Sequence, residues 1–146
     1  MEVLLVEKDH LIRDQVKVGM QQFPEFRVTC VEGYGGMNTL RQQTFDAVFL
    51  GVPDDFQEAR RMIEHLRNID RAVDLVVMVP EKMAKDMAGE KPRFDIWSIL
   101  PTPMGVTEFF RLVARLRERR QQDANLGAAV DAARPGAGRL ARGGIA

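Results

Sequence analysis

FDAVFLGVPDD, Phe45–Asp55, is an apolar run that ends on Gly51 and then carries two adjacent carboxylates, Asp54 and Asp55. In the loop after Pro53 this pair reads as two solvated acids that cap the next helix. GYGG, Gly33–Gly36, follows an apolar run as phosphate-binding loops do. It lacks the Lys-Ser/Thr ending of a P-loop and the G-x-G-x-x-G spacing, so a flexible turn is its better use. His10 and His65 have no partner at metal-ligand spacing, and Cys30 reads as a small buried apolar residue. A single cysteine excludes an internal disulfide framework and a cysteine-rich zinc site. RLVARLRERR gathers Arg111, Arg115, Arg117, Arg119 and Arg120 on one helix. With 21 basic and 21 acidic residues in balance, that run reads as a solvated face and not as a nucleic-acid groove. Neither a metal nor a cofactor is expected.

The elements that must position these groups follow from the apolar pattern. Five short runs stand out: Val3–Val6, Arg27–Val31, Ala47–Gly51, Leu75–Val79 and Ile96–Leu100. Three of them are continuously apolar, as in parallel strands covered on both faces. Between them lie segments of helical period. Ile12, Val16, Met20 and Phe23 form one stripe, Ala59, Met62, Ile63 and Leu66 a second, and Val106, Phe109, Phe110, Val113 and Leu116 a third. Shorter helices are expected around GMNTLRQQ and EKMAKDMAG. The alternation gives a (βα)₅ doubly wound α/β fold with a parallel sheet of order 2-1-3-4-5, helices on both faces, and a site at the carboxyl ends of the strands. The 146 residues, 45% of them hydrophobic, suffice for one domain, expected over 1–121. Residues 122–146 read as an Ala/Gly/Arg-rich tail, helical at first and then disordered, with no effector domain. The apolar start is too short for a signal peptide or a membrane span, which points to a soluble cytoplasmic protein.

In element order, in VLLVEKD after the first strand start, in FDAVFLGVP at the third, and in the proline of LPTPM after the fifth, residues 1–121 resemble the receiver domain of two-component response regulators, a CheY-like three-layer sandwich. The resemblance implies a phosphorelay setting and a defined set of chemical positions. A carboxylate ending the third strand takes a phosphoryl group as an acyl phosphate. An acidic pair after the first strand helps hold Mg²⁺. A hydroxyl after the fourth strand and a lysine after the fifth bind the phosphoryl oxygens.

In this sequence the nucleophile position falls at Gly51. The acidic pair falls at Glu7 and Lys8, the hydroxyl at Pro80 (or Val79), the lysine at Thr102, and an aromatic switch position at about Ile99. The proline after the lysine position is kept as Pro103, and the resemblance implies a cis peptide before it. Four chemical positions are lost together while the scaffold remains.

The expected protein is therefore a non-enzymatic pseudo-receiver that works by binding another protein independently of phosphorylation. The resemblance implies docking, or homodimerisation, through the helix after the fourth strand, the fifth strand and the helix after it. That face would present Met83, Met87, Trp97, Ile99, Arg111 and Arg115. Alternatives are a small anion or metabolite at the vacated pocket beside Gly51, with Lys8 near the metal position and able to pair with Glu7, or a phosphoacceptor relocated to Asp54 or Asp55. An FMN protein is disfavoured because EKDHLIRD contains no Ser or Thr for a phosphate loop.

Overall fold

The computed structural model describes residues 1–133, with side-chain surroundings through residue 127. Five parallel strands, β1 (Glu2–Val6), β2 (Arg27–Val31), β3 (Ala47–Gly51), β4 (Asp74–Pro80) and β5 (Ser98–Thr102), form one sheet in the order β2-β1-β3-β4-β5. The helices are α1 (His10–Met20), α2 (Gly33–Met37), α3 (Thr39–Gln42), α4 (Phe56–Ile69), α5 (Ala84–Ala88), α6 (Lys91–Phe94) and α7 (Val106–Ala133). A 3₁₀ turn, Glu81–Met83, precedes α5. The expected doubly wound topology is the one observed. The central strands β1, β3 and β4 are almost wholly buried, which is why their sequences lack an apolar–polar alternation.

The chain divides into two units, Met1–Phe109 and the segment from Phe110 onward. In the first, alternate strand residues serve opposite faces of the sheet. Leu4, Val6, Val48, Leu50, Val77 and Val79 join Ala59, Ile63 and Leu66 of α4, and Met37, Leu40, Met83 and Met87, in one core cluster. On the other face Phe49 lies 6.4 Å, ring to ring, from Phe109, which also packs on α1. A Cβ added to Gly19 would lie 2.9 Å from Phe109 Cδ2, so the absent side chain lets α1 approach that ring. In the second unit Leu112, Val113 and Leu116 are buried, whereas residues 121–127 are all exposed. Helix α7 passes position 121 and Gly127 without a break. The expected disordered tail, residues 134–146, lies outside the described residues.

Two helix starts are set by aspartates. Asp9 Oδ1 accepts from the amides of Leu11 and Ile12 at 2.9 and 3.2 Å, and Asp55 Oδ1 accepts from Glu58 N at 3.0 Å. His10 therefore stands in the first turn of α1. The segment before β5 also departs from expectation, since α6 was not foreseen and the strand begins two residues late, at Ser98. Its cause is Arg67, a buried arginine of α4. Its Nε donates to Phe94 O (2.8 Å), Nη1 to Asp70 O (3.2 Å) and Val73 O (2.9 Å), and Nη2 to Asp95 O (2.7 Å). Asp95 turns the chain in the left-handed region, φ 53°, and Ile96 and Trp97 lead into the strand. Cys30, expected to be buried, is only half-buried because β2 is an edge strand.

Gly19→Ala forces a methyl into the ring of Phe109 and is expected to cost about 1–3 kcal/mol, the usual range for overpacking. Urea unfolding checks this, with a lowered midpoint at unchanged slope.

Candidate functional site

The crevice where the chain reverses direction across the sheet lies between β1 and β3, whose carboxyl ends adjoin. Glu7 follows β1, held there by its amide bond to Val31 O at 3.1 Å. Its side chain folds over the last residue of β3. A Cβ built on Gly51 would overlap Glu7 Oε1 and lie 2.5 Å from Cδ and 3.0 Å from Oε2. The carboxyl group of Glu7 thus fills the volume that any side chain at position 51 would need. Oε2 accepts the Asp9 amide at 3.1 Å. The Glu7 pKa is raised above its ordinary value near 4.5, chiefly because burial strips water from the charged form. The bond from Asp9 N opposes this shift, and the charge of Lys8 opposes it least. Lys8 is itself exposed. The expected Lys8–Glu7 partnership is therefore weak.

A cavity of about 170 Å³ opens beside this contact, lined by Val6, Glu7, Lys8, Gly33, Tyr34, Gly51, Val52, Pro53 and Met62. Gly33, at φ 55°, turns the chain from β2 into α2 and brings Tyr34 to the pocket wall. The Tyr34 ring meets His65 edge-on at 5.2 Å. Five wall residues, Tyr34, Val6, Val52, Pro53 and Met62, were not foreseen as parts of a site. Only the glycine-rich turn in GYGG hinted at the first of them.

The remaining positions are engaged elsewhere. Asp54 pairs with Lys82 at 2.9 Å, joining the loops after β3 and β4, while Asp55 caps α4 as expected. Pro80 ends β4 opposite Thr102 in the register, and Thr102 Oγ1 donates to Val79 O at 3.1 Å. The Thr102–Pro103 peptide is cis, as the resemblance implies. The Mg²⁺ that the resemblance implies does not fit these residues. Hard cations want several oxygen ligands, yet Glu7 is the one carboxylate lining the pocket, Lys8 stands where the second would be, and Asp9 Oδ1 serves the α1 amides.

Met83 and Met87 belong to the buried core, so they are not part of a docking surface. Their stripe is buried in the core cluster, with α5 packed on β4 and β5. Trp97 and Ile99 are half-buried, and Arg111 and Arg115 are exposed.

No family model and no curated protein matches this sequence. Solved structures do match. The receiver domain of AraT, a response regulator from Geobacillus stearothermophilus, superposes with a TM-score of 0.70 at 17% identity, over 84% of this chain and 97% of its own. The chain has the receiver fold. The receiver domain of RcsB from Salmonella enterica, solved with the phosphomimetic BeF3⁻, gives 0.68 at 12% identity over 81% of this chain and 88% of that one. A streptococcal protein, described as one of a family of redox sensors evolved from two-component response regulators, gives 0.67 at 21% identity over 85% of this chain and 54% of its own. In that receiver fold the contact of Glu7 with Gly51 stands at the end of the third strand, where the resemblance puts the phosphoacceptor.

Because the folded-state pKa of Glu7 is raised, the folded protein binds a proton there before the unfolded chain does. The charged carboxylate accordingly costs stability above its folded pKa, and that cost disappears as the pH falls towards 4.5. Glu7→Gln is expected to raise the urea midpoint at pH 7, with the gap from the unaltered chain closing as the pH is lowered through that window. A gap that did not change with pH would place its cause outside the titration of Glu7.

Proposed function

We propose that this domain is a phosphorylation-independent, receiver-like signalling module of a two-component-type pathway, non-catalytic and cytoplasmic, that acts by binding another protein. One observation carries the proposal: the Glu7 carboxyl lies against Gly51 in the space a phosphoacceptor side chain would occupy. The other positions agree with it. Pro80 offers no hydroxyl, Thr102 offers no ammonium and spends its own hydroxyl on Val79 O, and both displaced acids are held by other partners. The streptococcal neighbour, by its description, is a case of the receiver ancestry put to a different use. On this reading the preserved asset is the scaffold and its surface. Trp97 and Ile99 are the candidate contacts beside and on β5, and Arg111 and Arg115 are candidates on α7. Among the described residues no helix is long and apolar enough to cross a membrane.

A second reading has its own observation. The cavity of about 170 Å³ beside Gly51 is bounded by one half-buried carboxylate and mostly apolar walls, a composition suited to a small ligand. Its half-buried charge is the carboxylate of Glu7 while Lys8 is exposed, so an anion inside it would lie against a like charge.

Incubation with acetyl phosphate, or with beryllofluoride, in the presence of Mg²⁺ is expected to leave the intact mass and the amide NMR spectrum unchanged. Gly51→Asp alone should be equally inert, because positions 80 and 102 still lack the hydroxyl and the lysine. Phosphoryl transfer to Asp54 or Asp55 would sink the first reading.

A further inference from the structure

The two oxygens of Glu7 have different surroundings. Oε2 accepts the Asp9 amide, whereas Oε1 lies over the Gly51 backbone, and among the described residues no side chain donates to either oxygen. A half-buried carboxylate with backbone donors but no side-chain counter-charge in contact is only partly compensated, and the group borders a cavity. The other walls are Val6, Val52, Pro53 and Met62, the backbone of Gly33 and Gly51, and the ring of Tyr34, with the exposed Lys8 at the solvent side. An occupant must therefore combine a cationic donor for Glu7 with an aliphatic body for the walls. A divalent metal fails the second requirement and lacks the oxygens it needs. A carboxylate or phosphate meets a like charge.

We propose that this pocket is a binding site for a primary ammonium group carried on a short aliphatic chain, with Glu7 as the counter-charge and the Tyr34 ring flanking the cation. The size agrees. An apolar cavity near 150 Å³ is known to hold a benzene-sized molecule, so about 170 Å³ suits a chain of roughly four to six carbons. Two sources share this chemistry, a free alkylamine and the lysine side chain of a protein partner. The inference rests on the pocket reading above and is independent of whether the domain can be phosphorylated.

The test is an amide NMR titration of the full chain with n-butylammonium chloride, alongside sodium butyrate, MgCl₂ and Nα-acetyl-lysine methylamide. Saturable shifts at Glu7, Gly33, Tyr34, Gly51 and Val52 are expected with butylammonium and none there with butyrate or Mg²⁺. Glu7→Gln should weaken the binding at least tenfold. If that variant loses its spectral dispersion, the ligand comparison on the unaltered chain decides. Shifts from the blocked lysine as well would assign a partner's side chain as an occupant, and shifts from butylammonium alone would assign a free amine; each supports the site. Absence of saturable shifts, equal binding of butyrate, Mg²⁺ shifts at these amides, or undiminished affinity in a folded Glu7→Gln protein would overturn it. Failure here leaves the expected inertness to acetyl phosphate untouched, and phosphoryl transfer to Asp54 would leave an ammonium result standing.

Discussion

One carboxyl group resting on one stretch of bare backbone governs the upper end of this sheet. Glu7 and Gly51 end up side by side because β1 and β3 are neighbours in register, Val6 beside Leu50. With Glu7 in its observed position no residue bearing a Cβ can stand at 51, and with such a residue at 51 the carboxyl group must swing out. The two positions are thus one structural unit. The glycine is better described as filled over than as empty, and the desolvation that raises the Glu7 pKa is the electrostatic cost of that filling.

In the receiver pattern, acidic groups at this place are balanced by a metal ion and a lysine. Here Glu7 is the one carboxylate lining the pocket, the place the resemblance gives to the lysine holds Thr102, and the nearby ammonium, Lys8, is exposed and acts on Glu7 only weakly. Asp54 does have a lysine, Lys82, but that pair bridges two exposed loops, where ion pairs contribute little to stability. What is left at the pocket is one half-buried carboxylate beside mostly apolar walls.

The fold was legible in the sequence because burial on both faces leaves a direct trace: VLLV, AVFLG and LVVMV are apolar without alternation, and the helical stripes between them keep their period. That Lys8, Gly51, Pro80 and Thr102 lack the groups the resemblance implies at those places is read from the letters alone. The replacement of a side chain at 51 by the carboxyl of Glu7 was not. It depends on two residues far apart in the chain meeting across the sheet, and no local pattern encodes a rotamer. The walls of the pocket were hidden for a similar reason, because Tyr34 reaches it through a left-handed turn at Gly33 and Met62 reaches it from the inner face of α4. Met83 and Met87 are in the core, the first of the two readings open to them, because an apolar pair at helical spacing says that a face is buried without saying against what.

At the opposite end of the sheet unit, Arg67 has a consequence for how the domain comes apart. Helix α6 has four residues and could not persist alone, and the turn at 70–73 carries little apolar surface. One guanidinium holds carbonyls from both, at Asp70, Val73, Phe94 and Asp95. When the last turn of α4 frays, all four acceptors lose their donor together, and the entry to β5 loosens with them. The lower rim should therefore open and close as a single cooperative piece, with amide exchange in three separated segments sharing one rate-controlling event.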